Sequence, residues 1–229
     1  MEEAMGGVDT VMASRYSCRS FTSTPIPKAV LEDILSVASR SPSGTNTQPW
    51  NVWIVSGALK RRLSEQLIEA SRDPDAANNY TEPYPYYPQR WISPFIDRRR
   101  KVGFDLYGLL GIQKGDRARM QEQNERNYHF FDAPVGLIFT THTVMEQGSY
   151  LDYGMFLQSI MIAAKARGLD TCPQAALNPF HKIIKTQLGI GENQTMVCAM
   201  SIGYAKQDAP ENQLRTERAP LEEWVKFLD

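Results

Sequence analysis

The chain has 229 residues, 42% of them hydrophobic, with 25 Lys+Arg against 26 Asp+Glu and a formal charge of −1. That length suits one large domain or two small ones, and it buries enough surface to need no disulfide or metal staple. The balance of charge gives no global electrostatic footprint for nucleic acid, and the composition excludes wholesale disorder. Cys18, Cys172 and Cys198 are widely spaced and odd in number, so neither a disulfide framework nor a zinc ribbon is expected and a reducing compartment fits. The opening MEEAMGGVDT carries no signal pattern, and no apolar run reaches the roughly 18–20 residues of a membrane span. A soluble, cytoplasmic protein with no nucleic-acid or membrane partner is expected.

In chain order, the first helix signal follows Ser23-Thr24-Pro25-Ile26-Pro27, with Pro27 suited to a first helical turn. Val30, Leu31, Ile34, Leu35 and Ala38 then recur at helical spacing, and the helix should stop before Pro42. Asn51 to Val55 reads as a short buried strand, and Leu59, Leu63 and Leu67 mark a second amphipathic helix with Lys60, Arg61, Arg62 and Glu65 on its wet side. Residues 73–95 hold prolines at 74, 83, 85, 88 and 94 and tyrosines at 80, 84, 86 and 87. That density of proline blocks helix and sheet alike, so a long irregular excursion of the kind that forms lids or linkers is expected. A weaker helical stretch follows around 97–125.

Pro134 to Thr140 reads as a second buried strand, and 150–167 as the most apolar helix, burying Leu151, Met155, Leu157, Ile160, Met161 and Ala164 and ending at Gly168. Asn178-Pro179 opens a further helix that ends at Gly189, and Gln194 to Ala205 alternates as a strand. The tail 206–229 is polar until Leu221, Trp224, Val225 and Leu228, which suggest an arm docking on an apolar surface. The pattern predicts a single α+β domain over 1–229, with helices packed on a sheet.

Several kinds of chemistry are excluded by motif. There is no phosphate loop of the G-x-x-x-x-G-K-[ST] type, no G-x-S-x-G elbow and no H-E-x-x-H. His129, His142 and His181 lack metal-ligand spacing, so no metal site is expected, and Cys172 reads as a buried structural thiol. What remains is distributed. Arg15-Tyr16-Ser17-Cys18-Arg19 sets two guanidiniums four residues apart, able to converge on a phosphate from one helical turn or a tight bend. Arg215 and Arg218 form a second pair near the other end of the chain. Ser41 to Trp50 is a turn-rich polar loop closed by a tryptophan, suited to the edge of a heteroaromatic ligand. Each arginine pair also reads as a solvated charged face.

Taken together, Arg15-x-Ser17-x-Arg19-x-Phe21, the run Pro42 to Trp50, the run Gly168 to Gln174 and the ending Arg215 to Glu223 resemble, in order, the landmarks of the nitroreductase family of FMN-dependent oxidoreductases. The match spans roughly 11–70 and 130–225. The resemblance implies a mixed central sheet flanked by helices, an interlocked homodimer, a lid-like insertion at about 73–125 and a dimer-docking arm at about 206–229. It implies FMN held at its phosphate by Arg15, Ser17 and Arg218 with Arg215 helping, Tyr16 among the residues that bind the cofactor, and Arg19 near the pyrimidine end of the ring. Pro42, Ser43, Gly44 and Asn46 would reach a flavin bound by the other subunit. Pro173, Gln174, Ala175 and Ala176 would run along the isoalloxazine, with Ala175-Ala176 where many relatives have Glu-Gly, and Asn127 would bond the ring. No catalytic side chain is implied, since flavin N5 carries the hydride between NADH or NADPH and a nitroaromatic or quinone acceptor. Tyr84, Tyr86, Tyr87 or Trp91 is the expected stacking partner of that acceptor. Alternatives are a reductive dehalogenase of the same fold, for which Arg90, Arg98, Arg99 and Arg100 are available to bind a carboxylate, a non-catalytic FMN-binding module, and an anion-binding protein without flavin.

Overall fold

The computed structural model of the chain describes residues 7–228. Its strands are β1 (Asn51–Ser56), β2 (Val135–His142), β3 (Asp170–Gln174) and β4 (Gln194–Gly203). They form one sheet in the order β1-β2-β4-β3. The central pair, β2 and β4, is buried along almost its whole length because helices cover both faces, which explains why β2 reads as a continuous apolar run. The helices are α1 (Gly7–Ser14), α2 (Lys28–Ala38), α3 (Gly57–Ser71), the single turn α4 (Ala76–Asn79), α5 (Phe95–Leu109), α6 (Arg117–Glu125), α7 (Gln147–Lys165) and α8 (His181–Leu188).

Two cores lie on opposite faces of the sheet. On one, Leu63 and Leu67 of α3 and Ile184 of α8 pack with Val55, Ile138, Met196 and Ala199. On the other, Leu31 and Ile34 of α2 and Phe156 and Ile160 of α7 pack with Leu137, Phe139, Met200 and Ile202. Strand neighbours such as Leu137 and Ile138 point to opposite faces, as the pleat requires. One bulge interrupts this. Phe139 pairs with Cys198 but Thr140 pairs with Met196, so Val197 is left out of the ladder, and Val197 and Cys198 both turn to the α2/α7 side.

Several expectations need correction. The mixed sheet is antiparallel in all four strands, and the parallel pairing seen among the described residues is the isolated bridge Ser17–Thr171. Strand β3 gave no signal because it is five residues long and contains Pro173; its place at the sheet edge is where proline is tolerated. Helix α1 buries no residue and so has no periodic apolar face to read. The stretch 97–125 is two helices, separated by left-handed Gly111 and Gly115. Leu151 is 73% exposed, not buried, and Lys60 is half-buried rather than wet, its amine pushed down by desolvation. In the tail, Trp224 and Leu228 are 67% and 93% exposed, so in this single chain these apolar side chains dock on nothing. No helix is long and apolar enough to cross a membrane among the described residues.

Gly136 of β2 is set by close approach: a Cβ there would lie 2.5 Å from the ring of the fully buried Phe130. Gly136→Ala should therefore lower stability by about 1–3 kcal/mol, read as a lower denaturant midpoint at unchanged slope. An unchanged midpoint would contradict this packing.

Candidate functional site

The segment 15–21 is extended, not a helical turn, and its main chain is used to join distant parts of the chain. Ser17 bridges Thr171 of β3, and Cys18 N–H donates to Thr171 O at 3.0 Å. Four residues on, Phe21 bridges Ala205 just beyond β4. Between them, Asn212 acts as a clamp. Its Oδ1 accepts from Arg19 N–H at 2.8 Å, and its Nδ2 donates to Ser20 O at 2.7 Å and to Lys206 O at 2.9 Å. Asn212 is buried, so each of these bonds replaces water that cannot reach it. The N-terminal arginines, the run 170–174 and Arg215 are thereby brought to one place.

The guanidinium of Arg215 stacks on Tyr16, 4.2 Å from the ring centre, and donates to the carbonyls of Asn212 and Leu214. Arg19 donates to Ser17 O at 3.1 Å, and Arg218 to Thr216 O and Glu217 O. Arg15 is half-buried. Among the described residues none of these four arginines has a carboxylate within ion-pair distance, whereas Arg72, Arg98 and Arg126 do. The four are fixed by main-chain carbonyls or burial while their charge stays uncompensated. Arg218 sits apart from the others, over a cleft shared with Arg98 and Lys101 of α5.

A strained turn supplies the next piece. Phe130, Phe131 and Asp132 all have positive φ, at 56°, 52° and 68°. Left-handed backbone costs a non-glycine residue roughly 1–2 kcal/mol. Burial of both Phe rings, the bond from Phe21 N–H to Phe131 O at 3.1 Å and the ion pair of Arg126 with Asp132 at 3.1 Å hold it. Arg126 also pairs with the buried Glu211 beside the clamp. The turn leaves Asn127 facing β3, where Gln174 Nε2 donates to Asn127 O at 2.8 Å and Gln174 Oε1 accepts from Ser201 Oγ at 2.6 Å. Gln174 is thus held at both ends of its amide.

The polar loop 41–50 lies on the α7 side. Ser41 Oγ meets Ser159 Oγ at 2.7 Å, Gly44 N–H donates to the buried Asp152 at 3.2 Å, and Thr141 Oγ1 donates to Pro49 O at 2.8 Å. Its crest is exposed and left-handed at Thr45, Asn46 and Gln48. Pro42, Ser43, Gly44 and Asn46 are therefore not joined to the arginine cluster of the same chain.

The irregular segment crosses back over β3. Tyr84 Oη donates at 2.5 Å to Val197 O, the carbonyl of the residue the bulge leaves out of the ladder, and Asn178 Nδ2 donates to the same oxygen at 3.1 Å. Tyr84 and Tyr86 face Pro173, Gln174 and Ala175 across a cavity of about 500 Å³. Tyr87 and Trp91 lie outside it, beneath the guanidinium of Arg99. Ala176, half-buried, packs against the α3/α8 core. Gln147, Tyr150, Gly154 and Leu157, which also line the cavity, escaped sequence reasoning. Their common stripe on α7 was the available signal, but it merges with that helix's apolar face. Open grooves of about 600 and 790 Å³ elsewhere contain none of the candidate cofactor- or substrate-binding residues.

Residues 12–204 match the model of the nitroreductase family, described as Nitroreductase. The chain belongs to the nitroreductase family. It is 38% identical over 221 residues, 96% of each chain, to a nitrobenzene nitroreductase of Ectopseudomonas oleovorans. It is 39% identical over 220 residues, 96% of this chain and 95% of the other, to a 4-nitrobenzoate reductase of Pseudomonas putida. Among solved structures, the FMN and NADPH-dependent nitroreductase NfnB from Sphigopyxis sp. strain HMH superposes with a TM-score of 0.93 at 31% identity, covering 97% of this chain and 99% of that one.

The donor set of this nitroreductase chain fits FMN. Uncompensated guanidiniums suit a dianionic phosphate, and the doubly anchored amide of Gln174 beside the exposed Pro173 suits a planar ring. The thiols are not part of this chemistry. Burial pushes Cys18 and Cys198 up to about 12, and Cys172 up to about 11 against the pull of the Arg19 and Arg15 charges. Because these folded values lie above the ordinary 9.0, the folded chain keeps protons that the unfolded chain loses. Their contribution is complete below pH 9 and declines as pH rises toward 11–12. A disulfide-exchange thiol reagent at pH 8 should thus find the cysteines silent in the native protein and titrate all three after denaturation. Fast native labelling would contradict this burial. Asn212→Ala should cost about 1–3 kcal/mol in unfolding free energy, since it strands Arg19 N–H and two carbonyls; a neutral substitution would show that the clamp holds nothing.

Proposed function

We propose that this chain is an FMN-dependent nitroreductase that oxidises NADPH and reduces nitroaromatic compounds, alternating the two substrates at one site. The observation that carries the reading is the convergence of Arg15, Arg19 and Arg215 on the edge of β3, beside a tyrosine-lined cavity, in a chain whose relatives of near-equal length reduce nitrobenzene and 4-nitrobenzoate. When bound, FMN supplies the hydride chemistry.

The residues then have separate tasks. Arg15, Ser17 and Arg215 hold the phosphate, where a charge-assisted bond contributes about 1.5–3 kcal/mol, and Tyr16 supports Arg215 from beneath its guanidinium. Arg19 places positive charge at the pyrimidine end, favouring the electron-rich form of the ring. Pro173, Gln174, Ala175 and Ala176 orient the ring, and Asn127 does so through Gln174. Tyr84 and Tyr86 close the cavity over β3 and exclude water from the acceptor. No side chain acts as general base; water supplies protons to the product.

We infer also that a second copy of the chain completes the site. The crest of the loop at 42–46 presents Pro42, Gly44 and Asn46 to solvent, away from its own arginine cluster. Leu151 on α7, and Trp224 and Leu228 in the tail, are exposed apolar groups. Fully burying a leucine yields roughly 1.5–3 kcal/mol, so a surface that leaves several exposed is stabilised by pairing. In this reading 73–125 is a lid and 206–229 a docking arm.

Tyr84, Tyr86 and Tyr150 on the cavity wall are all raised above the ordinary tyrosine value by burial, and among the described residues the lining carries no Lys, Arg, Asp or Glu. These hydroxyls stay protonated through neutral pH. The purified protein should be yellow, oxidise NADPH only when a nitroarene is present, and favour nitrobenzene over 4-nitrobenzoate in kcat/KM. The acceptor KM should be flat from about pH 6 to 9, where no lining group titrates. Absence of flavin, or of NADPH oxidation with every nitroarene, would overturn the reading. A preference for the carboxylate would contradict the uncharged lining alone.

A further inference from the structure

The chain has no glycine-rich dinucleotide fingerprint, so discrimination between the two nicotinamide nucleotides must come from individual side chains that can see a 2′-phosphate. The run Arg98-Arg99-Arg100-Lys101 on α5 is the densest positive charge in the chain, and its members are not equivalent. Arg98 is held by Glu223 at 2.7 Å, and Lys101 by Asp105 at 2.7 Å with Glu217 at 3.6 Å. Both charges are therefore spoken for, tying α5 to the tail. Arg99 differs. Its guanidinium lies 4.8 Å from the ring centre of Trp91 and 5.3 Å from that of Tyr87, and among the described residues it has no carboxylate partner.

This arginine terminates a chain of rings that begins inside the cavity. Tyr150 and Tyr84, both on the cavity wall, are 4.8 Å apart. Tyr86, also on the wall, meets Tyr87 at 4.7 Å with an edge-on ring, and Tyr87 meets Trp91 at 5.5 Å. From the cavity wall to Arg99 is thus two steps, Tyr86 to Tyr87 and Tyr87 to the guanidinium. A nicotinamide seated in the cavity extends through its pyrophosphate to an adenosine that must lie outside it. The ring ladder marks a direct exit. At its end, two aromatic faces within cation–π distance hold the Arg99 charge in place without using its N–H donors, which are left for a phosphate.

We propose that Arg99, supported by Tyr87 and Trp91, receives the 2′-phosphate of NADPH and sets the preference of the chain for NADPH over NADH. The proposal rests on the nitroreductase reading above and adds a residue to it. It also separates the four aromatic residues of the irregular segment: Tyr84 and Tyr86 serve the cavity, while Tyr87 and Trp91 serve the guanidinium.

The test has a kinetic arm and a binding arm, both on flavin-loaded protein. Arg99→Ala should raise the KM for NADPH about tenfold or more while leaving the KM for NADH unchanged, as loss of one charge-assisted contact predicts. Arg99→Lys should fall between, retaining charge without the fork. Arg100→Ala, one residue along, should leave the NADPH to NADH ratio at its wild-type value. In calorimetry, adenosine 2′,5′-bisphosphate should bind the wild type more tightly than adenosine 5′-monophosphate, with the difference lost in Arg99→Ala. Wild-type ratios and wild-type bisphosphate affinity in Arg99→Ala would overturn the proposal. A protein that oxidises neither nucleotide would refute the enzymatic reading, and the calorimetric arm would still decide the role of Arg99.

Discussion

Everything in the site depends on the extended segment 15–21 being laid beside β3 and clamped there by Asn212. Without the Ser17–Thr171 bridge, the N-terminal arginines and the strand proposed to run along the ring belong to parts of the chain more than 150 residues apart. Without the Asn212 side chain, Arg215 has no fixed relation to either. These are main-chain contacts satisfied in buried surroundings, so they are specific in register. An extended strip also spaces its side chains alternately, which sets Arg15, Ser17 and Arg19 on one side and buries Cys18 on the other.

The structure sets this local order against strain. Two left-handed runs of non-glycine residues, at 45–46 and 130–132, flank the site. The second is held by buried rings and by Arg126, which reaches Asp132 and the buried Glu211 together and so links the turn to the tail. Breaking a buried ion pair by removing one partner costs about 3–5 kcal/mol, well above the strain of any single residue. The bulge in β4 serves a similar end by different means. It releases one carbonyl from the ladder, and the irregular segment uses that carbonyl to seat Tyr84.

Much of this was legible in the sequence, and the rest was hidden for identifiable reasons. Helices α2, α3 and α8 and strands β2 and β4 announce themselves through periodicity, apolar runs and glycine stops, because each buries a face in one of the two cores. Strand β1 reads as a buried strand, but it fully buries Val55 alone and leaves Ile54 44% exposed at the sheet edge. The arginine pairs, the polar loop at 41–50 and the run ending at Gln174 stand out as polar islands whose composition has no packing purpose. Their convergence was not legible, since it rests on one parallel bridge and one asparagine. Strand β3 is short and broken by proline, α1 has no buried face, and Leu151 has the right spacing for burial but points away from the core. The bulge at Val197 leaves no mark on the alternation Met196, Cys198, Met200, Ile202, because the register shift occurs in the pairing and not in the residues.

The central claim is that guanidiniums from both ends of the chain together hold one phosphate. The direct measurement is the flavin retained after extensive dialysis by the wild type, by Arg15→Glu, by Arg215→Glu and by the double variant, read from the visible spectrum of correctly folded protein. The account predicts stoichiometric FMN in the wild type, marked loss in each single variant and none in the double variant. Full retention of FMN by a folded double variant would contradict it.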